Sequence, residues 1–399
     1  MTQKTFLKKP QIIFLFLIVF LTVNIAVAQN RQNDKELTQA LEFVKQNRLI
    51  DALPLLEKSS VRYPDDAEIQ AHLGVAILVN AATLKVEEAR KKEVARAGIV
   101  LRKAKKLGTE NIIALHYLDK IEDGDDVGVA FDASSKEVED AIREGEGFFN
   151  RGEYEKALVA YERAFKLDPK SYDAAVFAGD SFYAQKKYKE SESWFAKAVA
   201  IDANREQAFR FWADALVHQG KTKEALVKFA DAFIADPNSR LVADTFLKAV
   251  KNFGDRRSSP FVVIPSKENE SEIVIDAALL KESDGTASWH RFSDIRKTQI
   301  ENFNKVANGR TFSSTVSEDV EALKAVALAA RGFAQKNKSL ALDKSLENLI
   351  KLDSLGMLDV YTIFFIHGGA RSGEYEKFRE KNRDRMRKFL IDYFAEDKL

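Results

Sequence analysis

Residues 138–171 read VEDAIREGEGFFNRGEYEKALVAYERAFKLDPKS, residues 172–205 read YDAAVFAGDSFYAQKKYKESESWFAKAVAIDANR, and residues 206–239 read EQAFRFWADALVHQGKTKEALVKFADAFIADPNS. Set under one another they repeat at a spacing of 34. Gly145, Gly179 and Ala213 share a column, as do Phe148, Phe182 and Leu216, then Tyr161, Phe195 and Phe229, then Ala164, Ala198 and Ala232. A period in this range, without strand-like alternation, signals stacked helix pairs, each burying its apolar face only against its neighbours. The first helix of each pair (A) carries the Gly145-type small residue where backbones must approach closely. The second (B) carries Ala157, Ser191 or Ala225 for the same reason. Pro169 and Pro237 stand just past helix B, where proline suits a helix stop; the middle unit has Ala203 there.

On these residues the chain resembles the tetratricopeptide repeat family, specifically over 138–239, more weakly over 33–110, and not beyond about residue 254. The expected fold is all-α: a tetratricopeptide-type helical solenoid of about five helix-pair units, then a mainly helical C-terminal domain with a short β-hairpin.

Upstream, Ala40, Phe43, Ala52, Leu56 and Pro64 hold the places of Gly145, Phe148, Ala157, Tyr161 and Pro169, which defines a unit at 33–66. Leu73-Gly74 and Ile77 open another, whose second helix (Ala97, Leu101, Ala104) falls in phase only if 11 residues are inserted around Asn80–Glu93. Glu122–Ser135, with Asp123-Gly124-Asp125-Asp126, breaks the helical period. A calcium loop starting at Asp123 would need ligands where Val127 and Ser134 stand, so the stretch is expected to be an acidic linker.

Downstream, a capping helix is expected at Leu241–Phe253, then a turn-rich break at 254–260. The β-branched runs Phe261–Ile264 and Ile273–Ile275 predict a two-stranded hairpin. Helices are expected at Ser293–Ala307, Ser317–Gln335, Leu340–Leu355, Leu358–Ile366 and Glu374–Phe394, the second starting on Ser317 followed by Glu318 and Asp319. The last helix places Tyr375, Phe378, Met386, Phe389 and Tyr393 on one face, expected to be a core face with a solvated back.

The first 28 residues are expected to be a signal peptide: Lys4, Lys8 and Lys9 precede the apolar run Ile12–Val23, and Ala26-Val27-Ala28 is a cleavage site. An uncleaved anchor is the alternative, although the run is shorter than the ~20 residues of a spanning helix. The resulting organisation is a signal peptide at 1–28, an N-terminal repeat-like block with an insert at 29–121, an acidic linker at 122–136, three units and a capping helix at 137–254, and a C-terminal domain at 255–399.

Removing the leader takes three lysines from 62 basic residues and none from 61 acidic ones, leaving 59 against 61, a net charge of −2. No basic excess is available to attract nucleic acid or an anionic membrane. With no cysteine, the chain has no disulfide, thiol nucleophile or thiolate metal site. An exported chain without disulfides fits a bacterial periplasm.

The five histidines, His72, His116, His218, His290 and His367, lack the spacing of a zinc site on one helix. Trp289-His290 and His367-Gly368-Gly369 lie beside turns in the non-repeat region but form no motif. Nucleophile elbow, phosphate loop and dinucleotide fingerprint are all missing. No catalytic residue, cofactor or metal is therefore expected.

In the family the partner usually lies along the concave surface formed by the A helices. Carried over by phase, the position after the small residue faces that groove, and here it is Glu146, Asp180 and Asp214. Three residues on stand Phe149, Tyr183 and Val217; three before stand Arg143, Phe177 and Phe211. Family members that grip a C-terminal carboxylate use lysines and asparagines, and only Asn150 and Arg210 compare. The groove is therefore expected to take an extended segment of Lys or Arg with apolar residues between them. The alternative is that these acids are solvated helix residues beside packing aromatics. The leading expectation is an exported, non-catalytic scaffold for protein–protein interaction in the bacterial cell envelope. The alternatives are an enzyme with an active site in 255–399 and the repeats used for recruitment, and a self-assembling envelope protein.

Overall fold

In a computed structural model the structure describes residues 31, 34–124, 131, 133–253, 261–267, 272–307, 309–339, 341–367 and 373–394. The leader and its Ala28 site, residues 125–130 and 132 of the acidic linker and the 254–260 break lie outside the described residues. The fold is all-α. The chain divides into two compact units, Met1–Lys187 and Tyr188–Leu399.

The first unit holds α1 (Lys35–Lys45), α2 (Leu49–Arg62), α3 (Ala67–Thr83), α4 (Glu87–Lys106), α5 (Ile112–Glu122), α6 (Lys136–Phe149), α7 (Tyr154–Leu167) and α8 (Tyr172–Ala184). Helix starts are set by short polar side chains that accept from otherwise unpaired amides: Asp34, Asp66, Asn111, Ser135 and Ser171 each cap the helix that follows. The turn from helix A to helix B needs a left-handed residue, at Asn47 (φ 55°), Gly152 (φ 77°) and Lys186 (φ 60°) here and at Gly220 (φ 75°) in the second unit. All four stand in one column of the repeat.

The small residues do what the period requires. A Cβ on Gly145 would lie 2.3 Å from Cε1 of Tyr161, so α6 and α7 touch only because residue 145 has no side chain. A Cβ on Gly74 would lie 2.4 Å from Cδ2 of Leu101. Gly74 and Leu101 are 27 residues apart and Gly145 and Tyr161 are 16 apart. The difference is the 11-residue insert, absorbed by lengthening α3 and α4. Arg143 then joins α6 to α3 with a bond from Nη1 to the carbonyl of Ala82 (2.6 Å).

The second unit holds α9 (Tyr188–Ile201), α10 (Glu206–His218), α11 (Thr222–Ala235), α12 (Arg240–Phe253), α13 (His290–Asn304), α14 (Val316–Lys336), α15 (Lys344–Ser354), α16 (Leu358–Tyr361) continuing into a π-turn over Thr362–Ile366, and α17 (Tyr375–Phe394). One cluster of buried side chains runs from Ala213 and Phe229 through Trp289, Leu323 and Leu349 to Phe389 and Tyr393. The third repeat and the C-terminal helices thus share a single core. In α17, Tyr375, Met386 and Phe389 are fully buried, Tyr393 nearly so and Phe378 partly. The α17 side chains also finish α11, whose last carbonyls lack partners within the helix: Tyr375 Oη donates to Ile234 O (2.8 Å) and Arg379 Nη1 to Ala235 O (2.9 Å).

Two expectations need correction. Among the described residues there is no hairpin, only an isolated antiparallel bridge between Ser266 and Ile275. The amides of Val262 and Val263 bond instead to Tyr361 Oη (3.1 Å) and Ser345 Oγ (3.1 Å), side chains rather than a second strand. The cap of α14 is Thr315, not Ser317. Thr315 and Glu318 form a reciprocal capping box, and Asp319 turns inward.

Candidate functional site

The expected partner-binding residues fall in both units. In the first, α6 carries Arg143, Glu146 and Phe149, with Asn150 as its C-cap, at spacings that place them on one side of the helix. Arg143 does not face a groove. It is 2% exposed, held by Glu139 (2.7 Å) and Ala82 O, and lies over the ring of Phe131 at 4.7 Å. Burial lowers its pKa. It fastens α6 to α3. Asn150 is also buried, its Nδ2 donating to the backbone oxygen of Glu146 (2.9 Å) and to Oε2 of the same residue (3.4 Å).

Glu146 is half-buried and accepts from Tyr161 Oη at 2.7 Å. Burial pushes its carboxyl up to about 7, against the bonds from Tyr161 and Asn150 and with the charge of Asp173 adding to the rise. The Tyr161 hydroxyl is in turn raised by burial and by the charges of Glu146 and Asp180. Glu146, Asp173 and Asp180 therefore act on one locality around a tyrosine of helix B. Phe177 leans on Tyr161 at 5.5 Å and on Phe131 at 5.9 Å. Phe149 meets Tyr154 edge-on at 5.2 Å, and Asp180 and Tyr183 are half-buried on α8.

In the second unit α10 carries Arg210, Phe211, Asp214 and Val217. Arg210 pairs with Glu206 (3.1 Å) and stacks its guanidinium over Phe211 at 4.5 Å. Phe211 lies 6.1 Å from Phe195. Asp214 is half-buried, and burial raises it to about 6 against the charges of Arg210 and His218. Val217 packs on the core of the unit. Among the described residues neither Glu146 nor Asp214 has an ion pair.

Sequence reading missed Tyr161 and Asp173. Tyr161 was legible as a column member, but the other units have Phe195 and Phe229 there, so its hydroxyl singles out one repeat. Asp173, 5% exposed, stands in phase with Glu139, the partner of Arg143. Elsewhere in the second unit, Glu192 accepts from Trp212 Nε1 (3.0 Å) and Gln219 Nε2 (2.7 Å) and pairs with Lys221 (3.0 Å).

His290 is exposed at the start of α13, while His367 Nε2 bonds to the buried Asp319 at 2.7 Å. No group of three His, Asp or Glu among the described residues is placed to hold a metal ion. No helix among them is long and apolar enough to cross a membrane.

Residues 142–206 match the family model described as tetratricopeptide repeat. No curated protein matches the chain. Similar solved structures include the second such domain of human RPAP3 in complex with an HSP70 peptide, at 26% identity over 26% of this chain and 88% of that one, with a TM-score of 0.25. The TPR2AB domain of yeast Sti1 in complex with pHSP90 is 16% identical over 55% and 99% of the two chains, with a TM-score of 0.28. YrrB, a repeat protein whose structure is described as having an unusual peptide-binding site, is 18% identical over 55% and 96%, with a TM-score of 0.25. Residues 142–206 of this chain thus carry tetratricopeptide repeats.

Proposed function

We propose that the chain is an exported, non-catalytic scaffold of the bacterial cell envelope that holds a protein partner through the in-phase positions of its A helices. Binding of an extended basic segment is supported by one observation above the others: Glu146 and Asp214 are half-buried and raised by burial, and among the described residues neither forms an ion pair. A Lys or Arg placed beside such a carboxylate meets a partly desolvated opposite charge, while Phe149, Phe177 and Phe211 offer apolar contact. Export rests on the Ala26-Val27-Ala28 site, with Gln29 as the expected mature N-terminus.

The test is affinity capture by the mature protein from its own envelope fraction, compared with the double variant Asp180→Lys/Asp214→Lys. A partner retained by the parent and lost by the folded variant is the expected result. Equal retention by both removes Asp180 and Asp214 from the proposal. N-terminal sequencing of the envelope form checks the leader, and a start upstream of Gln29 overturns its cleavage there.

A further inference from the structure

The second unit contains a cleft of about 720 Å³ bounded by the start of α14, the end of α15, the start of α16 and the start of α17. This volume is within the range of small-molecule sites. Its apolar lining comes from Val316, Val320, Leu358 and Phe378. The polar lining is not balanced. Asp353 is held by Arg331 at 2.7 Å, and Asp359 takes both guanidinium nitrogens of Arg385 at 2.8 Å. Glu374 accepts the amide of Val316 at 2.7 Å and so serves the N-terminus of α14. Asp353 and Asp359 are thus paired with arginines, and Glu374 is held by a backbone amide. Glu321 accepts from Gln299 at 2.9 Å and has no ion pair among the described residues.

Against them stand three lysines that line the same cleft: Lys324 of α14 and Lys377 and Lys381 of α17. Among the described residues none of the three has an ion pair or a hydrogen bond. Lys377 and Lys381 are four apart on one helix, where like charges repel. Lys324 is one turn beyond Val320 on α14, and all three lysines line the cleft that holds the apolar floor.

We propose that this cleft binds a small amphipathic anion, a carboxylate carried on an apolar body, with the body against Val320, Leu358 and Phe378 and the carboxylate among Lys324, Lys377 and Lys381. An anion there relieves the lysine repulsion and gains charge-assisted hydrogen bonds. The site lies outside the A-helix positions of 138–239 and does not depend on the scaffold reading.

The test uses the full mature chain and isothermal titration calorimetry with decanoate below its micellar concentration. Decyltrimethylammonium and inorganic phosphate serve as controls for the apolar body and the charge. Saturable one-to-one binding of decanoate is expected, with either control at least tenfold weaker. The variant Lys324→Glu/Lys377→Glu/Lys381→Glu changes only exposed side chains and is expected to weaken decanoate at least tenfold. Val320→Trp, which fills the cleft and keeps the lysines, is expected to abolish it. Absence of decanoate binding overturns the proposal, as does equal binding of the cationic amphiphile or of phosphate. Affinity unchanged in the folded charge variant also overturns it.

Discussion

The hydroxyl of Tyr161 donates to Glu146 at 2.7 Å, tying helix B of one repeat to a carboxylate that burial has raised to about 7. The raised value makes folding take up a proton wherever the unfolded glutamate, near its ordinary 4.5, is already ionised. Stability from this group is therefore greatest below about pH 4.5, falls as pH rises toward 7, and levels off above. The effect is about 1–2 kcal/mol once the half-exposed environment is discounted. In urea titrations at pH 5 and pH 8, Glu146→Gln is expected to show a smaller loss between the two than the parent. Identical losses would show that Glu146 does not titrate in this window.

Packing at Gly145 has a test with opposite signs at two glycines. Gly145→Ala places a methyl 2.3 Å from a Tyr161 ring that is wholly buried and has no room to retreat. Overpacking of this kind costs about 1–3 kcal/mol. Gly332, inside α14, has nothing within 4 Å of its ideal Cβ. Gly332→Ala is expected to stabilise by about 1 kcal/mol through helix propensity alone. Chemical denaturation of the two variants checks both signs.

The A–B turn offers a further case. Lys186 holds φ 60° where two other repeats have Gly152 and Gly220. A left-handed residue with a side chain costs about 1–2 kcal/mol, and glycine's extra freedom in the unfolded chain returns about 0.4–1 kcal/mol of that. Lys186→Gly is expected to stabilise by about 0.5–1 kcal/mol and Gly220→Ala to destabilise. A Lys186→Gly variant that melts at or below the parent's temperature would refute the reading of strain.

What the sequence disclosed follows from how local each feature is. The repeat registered because a helix pair buries its small residues at fixed offsets, so even the 11-residue insert left Gly74 and Leu101 in phase. The hairpin failed because Phe261–Ile264 has strand-like residues, while the partners of its amides lie 82 and 99 positions away in Ser345 and Tyr361. Arg143 matched the groove column, yet its environment is set by Ala82, 61 residues earlier. Column position gives the direction of a side chain on its helix, and not what a neighbouring helix brings against it.

The same limit applies to Asp319, which the sequence offered only as part of a helix start. It is 1% exposed, with one carboxylate oxygen on Arg296 and the other on His367 at 2.7 Å. Arg296 is itself buried and also donates to Gln299 (3.1 Å). Asp319→Asn leaves that guanidinium without its counter-charge in the core shared by the third repeat and the C-terminal helices. Removal of one member of a buried pair costs about 3–5 kcal/mol. Because Ala213, Phe246 and Phe389 belong to one cluster, the loss is expected to appear in the whole second unit. Hydrogen exchange in α10–α12 should rise together with that in α13–α17. Faster exchange confined to α13–α17 would show that the C-terminal helices open independently of the repeat they pack against.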